Sequence, residues 1–301
     1  MSTETVQKDY QDLDTWPLAR SLEALVTGNL SAVRAVQQAL PQLAYAAGGI
    51  ERALASGGRL IYAGAGTSGR LAMQDAAELP PTFGFERTLV LLAGGESAQS
   101  SAREDAEDDT QMAIRMVENA SVGPSDALMG VAASGATAFT VAAVRRARQL
   151  GAFTVALANN PNTPLLEAAE AAVLLDTGPE VLAGSTRLTA GTAQKIALNA
   201  LSTAVLVRLG GAYGNLMVGM KPKNAKLRRR ARAIVQQATG VSETKAAQAL
   251  EAAHGQLREA IVMLESGLSP EDAAALLAQH DNRVRDALAE LRSRTARGET
   301  K

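Results

Sequence analysis

Arg59-Leu-Ile-Tyr-Ala63 runs directly into Gly64-Ala-Gly-Thr-Ser-Gly-Arg70. The first five residues have the length and apolar core of a buried strand, the glycines turn the chain tightly, and from Ser68 to Leu79 the pattern is helical. A strand that feeds a helix through a Gly-rich turn is the opening of a βαβ unit. Four more apolar runs of strand length extend this reading: Thr88 to Leu92, Ala127 to Ala132, Phe153 to Leu157 and Ala172 to Leu175. Helical patterns lie between or after them, at Ser97 to Asn119, Thr137 to Leu150, Asn162 to Ala169 and from Arg187 to about Leu209. Strand, loop and helix in alternation predict an α/β fold with a doubly wound parallel sheet flanked by helices.

Upstream, Val33, Val36, Leu40, Leu43, Ile50 and Leu54 recur mostly at helical spacing until Gly57-Gly58. Downstream, the composition changes after the basic run Lys226 to Arg232 to Ala, Glu, Leu and Gln, with starts such as Ser269-Pro270-Glu271-Asp272, where a capping Ser precedes a first-turn Pro and two acids. Three or four short helices are expected there. The domain reading is residues 1–55 as a helical segment packing on the core, 56–222 as the sheet domain, 223–240 as a connecting helix and 241–301 as a small all-helical module.

Composition narrows the function. The 301 residues carry 30 Lys and Arg against 31 Asp and Glu. Such a balance argues against nucleic acid or an anionic membrane as main partner, since both are usually met by a basic excess. There is no Cys, which removes disulfides, thiolate metal sites and cysteine nucleophiles and suits a reducing compartment. The two histidines, His254 and His280, fall in the helical tail, so no metal and no His triad is expected and acid–base work passes to carboxylates. The polar N-terminus does not read as a signal peptide, and the longest uncharged runs are interrupted by Ser134, Gly135 and Thr137 and by Asn159, Asn160 and Pro161. A soluble, cytoplasmic protein is the expectation.

The first loop matches GxGxxG literally, but the next strand ends in Leu92-Ala-Gly-Gly95, without the acid that takes a ribose in a dinucleotide site. Arg70 and Leu71 stand where a P-loop has Lys and Ser or Thr, so no nucleotide cofactor is expected. What remains is a turn at a helix N-terminus, with Gly66 and the Thr67 and Ser68 hydroxyls suited to a single phosphate. Ser134-Gly135-Ala136-Thr137 follows the third strand and opens another helix. In a parallel sheet both loops emerge at the carboxyl edge, where ligands of open α/β sheets sit. Either loop alone reads equally as a turn with a cap; the two together favour phosphate binding.

Two groups of carboxylates could act on such a ligand. Glu78 is placed in a last helical turn ended by Pro80-Pro81, where the helix dipole would favour its protonated form, although at most such positions a Glu is an ordinary surface residue. Glu107 lies in the acidic run Glu104 to Asp109, which reads either as a solvated face or as a crowded pair, Glu104 with Glu107, of raised pKa. Ser185 and Arg187 open the long helix and Lys195 follows within it; the cations would neutralise an acidic ligand, or Lys195 would form a structural ion pair.

Assembled in order, these segments resemble the N-acetylmuramic acid 6-phosphate etherase family, which has a sugar isomerase (SIS) fold and is related to the glucokinase regulatory protein. The matching stretches are Gly64 to Leu71, Asp75 to Gly84 with its Glu-x-Pro-Pro-Thr core, Ala93 to Glu96, Ala106-Glu107-Asp108, Ala133 to Gly135, Gly184 to Lys195 and Gly214 to Val218. The resemblance implies a lyase that removes D-lactate from C3 of an open-chain phosphorylated amino sugar by elimination and then adds water, without metal or cofactor. It aligns Glu107 with the base that takes the C2 proton and Glu78 with the acid that protonates the departing oxygen. It gives Thr67, Ser68, Ser134 and Thr137 to the 6-phosphate, and it implies a homodimer and a ubiquitin-associated-like bundle at the end of the chain. Departures from the family pattern are Ala136 and Ala138 in place of Arg and Pro, Thr189 in place of Lys, Gln7 in place of Asn, and Gly219 where Asp is common. Two other readings use the same loops: a sugar-phosphate-sensing regulator, which has no need of an acid–base pair, and an aldose–ketose isomerase, which needs a base but no acid for a leaving ether.

Overall fold

Why the strand runs become one sheet is visible in their burial. In a computed structural model describing residues 3–98 and 104–297, β1 (Leu60–Gly64), β3 (Ala127–Ala132) and most of β4 (Phe153–Ala158) are buried on both faces, as parallel strands covered by helices must be. With β2 (Thr88–Leu92) and β5 (Ala171–Leu174) they form a parallel sheet of order β2-β1-β3-β4-β5. Gly64 lies opposite Leu92 on one side and Val131 on the other. The chain therefore winds outward in both directions from the β1–β3 pair.

The helices in chain order are α1 (Leu18–Gly28), α2 (Leu30–Gln38), α3 (Leu40–Ala55), α4 (Gly66–Phe83), α5 (Thr110–Asn119), α6 (Ala138–Gln149), α7 (Pro164–Ala168) and α8 (Thr189–Leu206). Side chains alternate between the sheet faces. Ile61, Ala63, Leu128 and Ala156 pack with Ala113 and Val117 of α5 and Phe139, Ala143 and Val144 of α6. On α3, Gly49 lies so close to the Phe153 ring that a β-carbon would meet it at 1.9 Å, and Tyr45 meets the same ring edge-on. Each large side chain buried this way contributes about 1.5–3 kcal/mol. Asp126 closes the strand entry: it accepts bonds from Arg59 N, Nε and Nη2 and from Gly123 N at 2.7–3.1 Å.

The chain packs into two compact units: residues up to Ala77 with Arg87–Thr203, and Glu78–Glu86 with residues from Ala204 on. In the second, α8 gives way to a wider turn at Val207–Gly211, then to a short hairpin of β6 (Ala212–Tyr213) and β7 (Leu216–Met217). There follow α9 (Ala225–Thr239), α10 (Glu243–Ala252), α11 (Leu257–Ser266), α12 (Pro270–Gln279) and α13 (Val284–Ala296). Ser269 caps α12 as its sequence foretells, accepting from Asp272 N at 3.1 Å. Val218 and Met220 share one core with Ala231, Ile234 and Val235 of α9 and with the last four helices. Residues 204–222 thus pack with the helices and α9 is part of their core, whereas the sequence reading put the former with the sheet and made the latter a connector. Arg258 donates Nε to the Gly210 carbonyl at 2.9 Å; burial lowers its pKa against the opposing charge of Glu259. No helix of the described residues is long and apolar enough to cross a membrane.

Three helix boundaries differ from the sequence reading. The helix expected from Ser97 begins at Thr110, because Asp109 caps it by accepting from Met112 N at 2.7 Å; Gly95–Ala98 and Glu104–Asp108 are 3₁₀ turns, and residues 99–103 lie outside the described residues. The helix expected to stop before Pro80 continues through both prolines to Phe83, with Leu79 buried and Gly84 N closing on the Pro80 carbonyl at 3.0 Å. The long helix expected from Arg187 starts at Thr189.

Candidate active site

The loops after β1 and β3 leave the carboxyl edge of adjacent strands, at the point where the strand order reverses. That crevice is where open α/β sheets bind ligands. In the first loop the backbone turns straight into α4, whose first intramolecular amide bond is Gly69 N to Ala65 O at 2.9 Å. The N–H groups before it form the positive end of the helix dipole, an arrangement that receives an anion. Thr67 is half-buried and Ser68 buried, and neither hydroxyl has a hydrogen-bond partner among the described residues.

Gly66 brings the candidate base to this loop. Its φ is +52°, and a β-carbon there would lie 2.9 Å from Glu107 Oε1. The carboxylate of Glu107 therefore sits against the backbone at the N-terminus of α4, half-buried on the 3₁₀ turn. The turn is 3₁₀ and not α-helical, and since positions three apart eclipse in a 3₁₀ turn, positions 104 and 107 still fall on one side of the backbone.

The second loop is built the same way. Gly135 has φ +68°, and a β-carbon would strike the Thr163 side chain at 2.3–2.7 Å. Ser134 Oγ accepts from Ala136 N at 3.1 Å, so Ser134 also shapes the turn. Thr137 is the N-cap residue of α6 but makes no side-chain cap bond. Thr163, 6% exposed, has no hydrogen-bond partner for its Oγ1 among the described residues.

The start of α8 is different. Glu180, fully buried, accepts from Thr189 N and Ala190 N at 2.9 Å each, so an internal carboxylate already occupies this helix N-terminus. The first amides of α8 are therefore taken, and a ligand near this turn would be met by the side chains of Ser185 and Arg187 instead. Ser185 and Arg187 lie in the turn before α8, Ser185 half-buried and Arg187 exposed. Lys195 is exposed within α8, and neither cation has an ion-pair partner among the described residues. The structural ion pair considered for Lys195 is not formed there.

Glu78 is exposed and belongs to the second unit. With α4 running to Phe83, Glu78 is not in its last turn, and the dipole argument for a protonated carboxyl does not apply. Earlier on the same helix, Asp75 is buried and accepts from Tyr62 Oη at 2.7 Å, Asn199 Nδ2 at 2.5 Å and Ser202 Oγ at 3.1 Å. Burial, and then the Asp75 charge, push the Tyr62 phenol well above its ordinary pKa, so it stays a donor. The network ties α4 to β1 and α8.

Sequence reasoning missed the N-terminal strap. Thr3 N donates to Asn160 Oδ1 at 2.9 Å, and Asn160 Nδ2 returns to Thr3 Oγ1 and to the Ala133 carbonyl beside the second loop. Gln7 Nε2 donates to the Pro179 carbonyl at 3.0 Å, and Glu4 Oε2 lies 2.9 Å from where a Gly184 β-carbon would be. Pairs more than 150 residues apart leave no periodic trace in a sequence; nor does Glu180, nine residues ahead of the amide it caps.

A parallel sheet with Gly/Ser loops at its switch point and no nucleotide fingerprint defines a SIS protein. A SIS domain model matches residues 107–204, and a model of the glucokinase regulatory protein N-terminal SIS domain matches residues 42–147. A phosphoheptose isomerase from Neisseria gonorrhoeae aligns with TM-score 0.50 at 21% identity, over 63% of this chain and 98% of its own, a likeness of fold. The chain belongs to the N-acetylmuramic acid 6-phosphate etherase family. It is 54% identical over 265 residues to the N-acetylmuramic acid 6-phosphate etherase of Deinococcus radiodurans, covering 87% of each. The protein of that name from Symbiobacterium thermophilum is 51% identical over 232 residues, 76% of this chain and 77% of its own.

Proposed function

We infer that the protein is a carbon–oxygen lyase that converts N-acetylmuramic acid 6-phosphate to N-acetylglucosamine 6-phosphate and D-lactate, in the recycling of cell-wall amino sugars. Family membership supports the activity, and the observation that carries the chemistry is the Glu107 carboxylate held over the first Gly/Ser loop. The 6-phosphate lies on the N-terminus of α4 with Thr67 and Ser68, and on the loop of Ser134, Gly135 and Thr137. Phosphate anchored there leaves the open-chain sugar to extend past Glu107.

The aldehyde at C1 acidifies the C2 proton. Glu107 removes it, the electron pair forms the C2–C3 double bond, and the C3–O bond breaks as Glu78 protonates the lactate oxygen. Water then adds at C3 of the unsaturated aldehyde, with Glu78 taking its proton and Glu107 returning one to C2. Arg187 and Lys195, exposed and without an ion-pair partner among the described residues, supply positive charge for the lactyl carboxylate. The residues expected to serve need neither metal nor nucleotide.

Incubation with N-acetylmuramic acid 6-phosphate, without metal or nucleotide, should release one D-lactate for each N-acetylglucosamine 6-phosphate formed. An isomerase would release no lactate. A sensor would be stabilised by the sugar phosphate without turning it over.

The working form we propose is a cytoplasmic homodimer, with α10 to α13, packed on α9, a ubiquitin-associated-like bundle. Support for the dimer comes from α1, which buries no residue and carries Leu18, Leu22 and Val26 at 75%, 53% and 71% exposure in one four-residue repeat. An apolar stripe of this kind marks an association surface. Leu22→Glu should produce monomers by light scattering; an unchanged mass would remove α1 from the interface.

A further inference from the structure

The second unit contains a cavity of about 540 Å³ that the chemistry above does not use. It lies between the segment 221–223, α9, α10 and the turn after α10. Its volume is that of a site for a small organic molecule. The lining is two-sided in character: Ala231 and Leu250 offer a buried apolar floor, while Lys221, Lys223, Arg228 and Arg232 supply four cations.

The neighbouring carboxylates set how much of this charge is available. Lys221 Nζ lies 3.1 Å from Glu86, and that hydrogen bond, with the charges of Lys221 and Lys223, holds the Glu86 carboxyl below its ordinary pKa. Arg232 Nε lies 3.2 Å from Glu243. Glu251 is the one acid on the cavity wall itself. Four cations against Glu86, Glu243 and Glu251 leave one positive charge in excess, and Arg228 has no ion-pair partner among the described residues. Lys223 and Arg228 bracket the N-terminus of α9, capped by Asn224, so the helix dipole adds to the same side. An excess of one charge beside an apolar floor matches one anionic head on an apolar body.

We propose that this cavity is a binding site for a small amphiphilic carboxylate. The carboxylate pairs with Arg228 and Lys223, and the apolar body lies on Ala231 and Leu250. A neutral molecule of the same shape gains only the floor; a polyanion such as a sugar phosphate exceeds the available charge and lacks an apolar body. The site is separate from the loops after β1 and β3 by sequence and by chemistry.

The test is calorimetric titration of the full chain with octanoate, with octan-1-ol as the neutral counterpart. Two variants accompany it: Arg228→Glu, an exposed substitution that reverses the unpaired charge, and Ala247→Trp, which fills the cavity from a half-buried position on its wall. The expected result is saturable one-to-one binding of octanoate, weakened at least tenfold in each variant and unaltered by saturating N-acetylglucosamine 6-phosphate. Melting curves show that each variant is folded before it is titrated. The proposal is overturned by any of four results: no saturable octanoate binding to the native chain, octan-1-ol binding as tightly as octanoate, unchanged affinity in the folded variants, or displacement of octanoate by the sugar phosphate.

Discussion

Replacing Gly66 with alanine separates the backbone role of this glycine from its role beside Glu107. The substitution puts a β-carbon at φ +52°, which costs about 1–2 kcal/mol in the left-handed region. It also puts that carbon 2.9 Å from Glu107 Oε1, about half an ångström inside ordinary van der Waals separation. The carboxylate must retreat by roughly that distance. Since misplacing a reacting group by ~1 Å costs ~100-fold, a retreat of half as much should lower kcat about tenfold. Exchange of the C2 proton in deuterated water should fall by the same factor, because it needs only the base. Gly267→Ala is the control: its φ is +75°, nothing lies within 4 Å of the new β-carbon, and it is in the second unit. Both variants should lose similar stability in thermal melts, and Gly66→Ala alone should lose D-lactate release and exchange. Equal kcat in the two would refute the placement of the base.

Glu107→Gln should abolish both proton exchange and lactate release, whereas Glu78→Gln should abolish lactate release and leave exchange measurable; the reverse pattern would interchange acid and base. Thr163→Val removes a buried hydroxyl without a protein partner, so melting should be unchanged while KM rises by severalfold if that hydroxyl meets the phosphate; an unchanged KM would leave it a packing residue. Asp126 pays a burial cost for its charge, but hydrogen bonds from Arg59 and Gly123 outweigh it and hold its carboxyl below the ordinary pKa. Its contribution to stability is therefore complete above the unfolded value of about 3.9 and lost as pH falls through the lower, folded value. Asp126→Asn should flatten that acid limb and cost about 1–3 kcal/mol at neutral pH in urea melts, an estimate discounted for the partly exposed Arg59; an acid limb identical to the native one would show that another carboxylate governs it.

Much of the site was legible because its signals are local. A strand of five apolar residues, a Gly-rich turn and a helical period lie in continuous sequence at Arg59 to Leu79, and the same grammar recurs at Ala127 to Leu150. Helix ends were less legible. Pro80 and Pro81 each remove one amide donor, a local penalty that the buried Leu79 and the bond from Gly84 N outweigh. Asp109 is one acid in a run of acids, and only the backbone shows which of them caps α5. At α8 the local sequence showed where the helix opens but not that Glu180, nine residues earlier, caps its first amides.

Sequence alone determined the fold class and the family and named the two loops and the two glutamates as candidates, because periodicity, turn chemistry and motif order are properties of neighbouring residues. Tertiary structure decided which loops meet. Pairing β1 with β3 places their loops at the switch point, and the φ of Gly66 brings a carboxylate from forty-one residues later against the first of them. The Asp75 network, the strap from Thr3 to Gln7 and the charge balance of the cavity beside α9 also belong to tertiary structure. Each depends on distance and burial between residues far apart in the chain, and those quantities exist only once the sheet and the helices have packed.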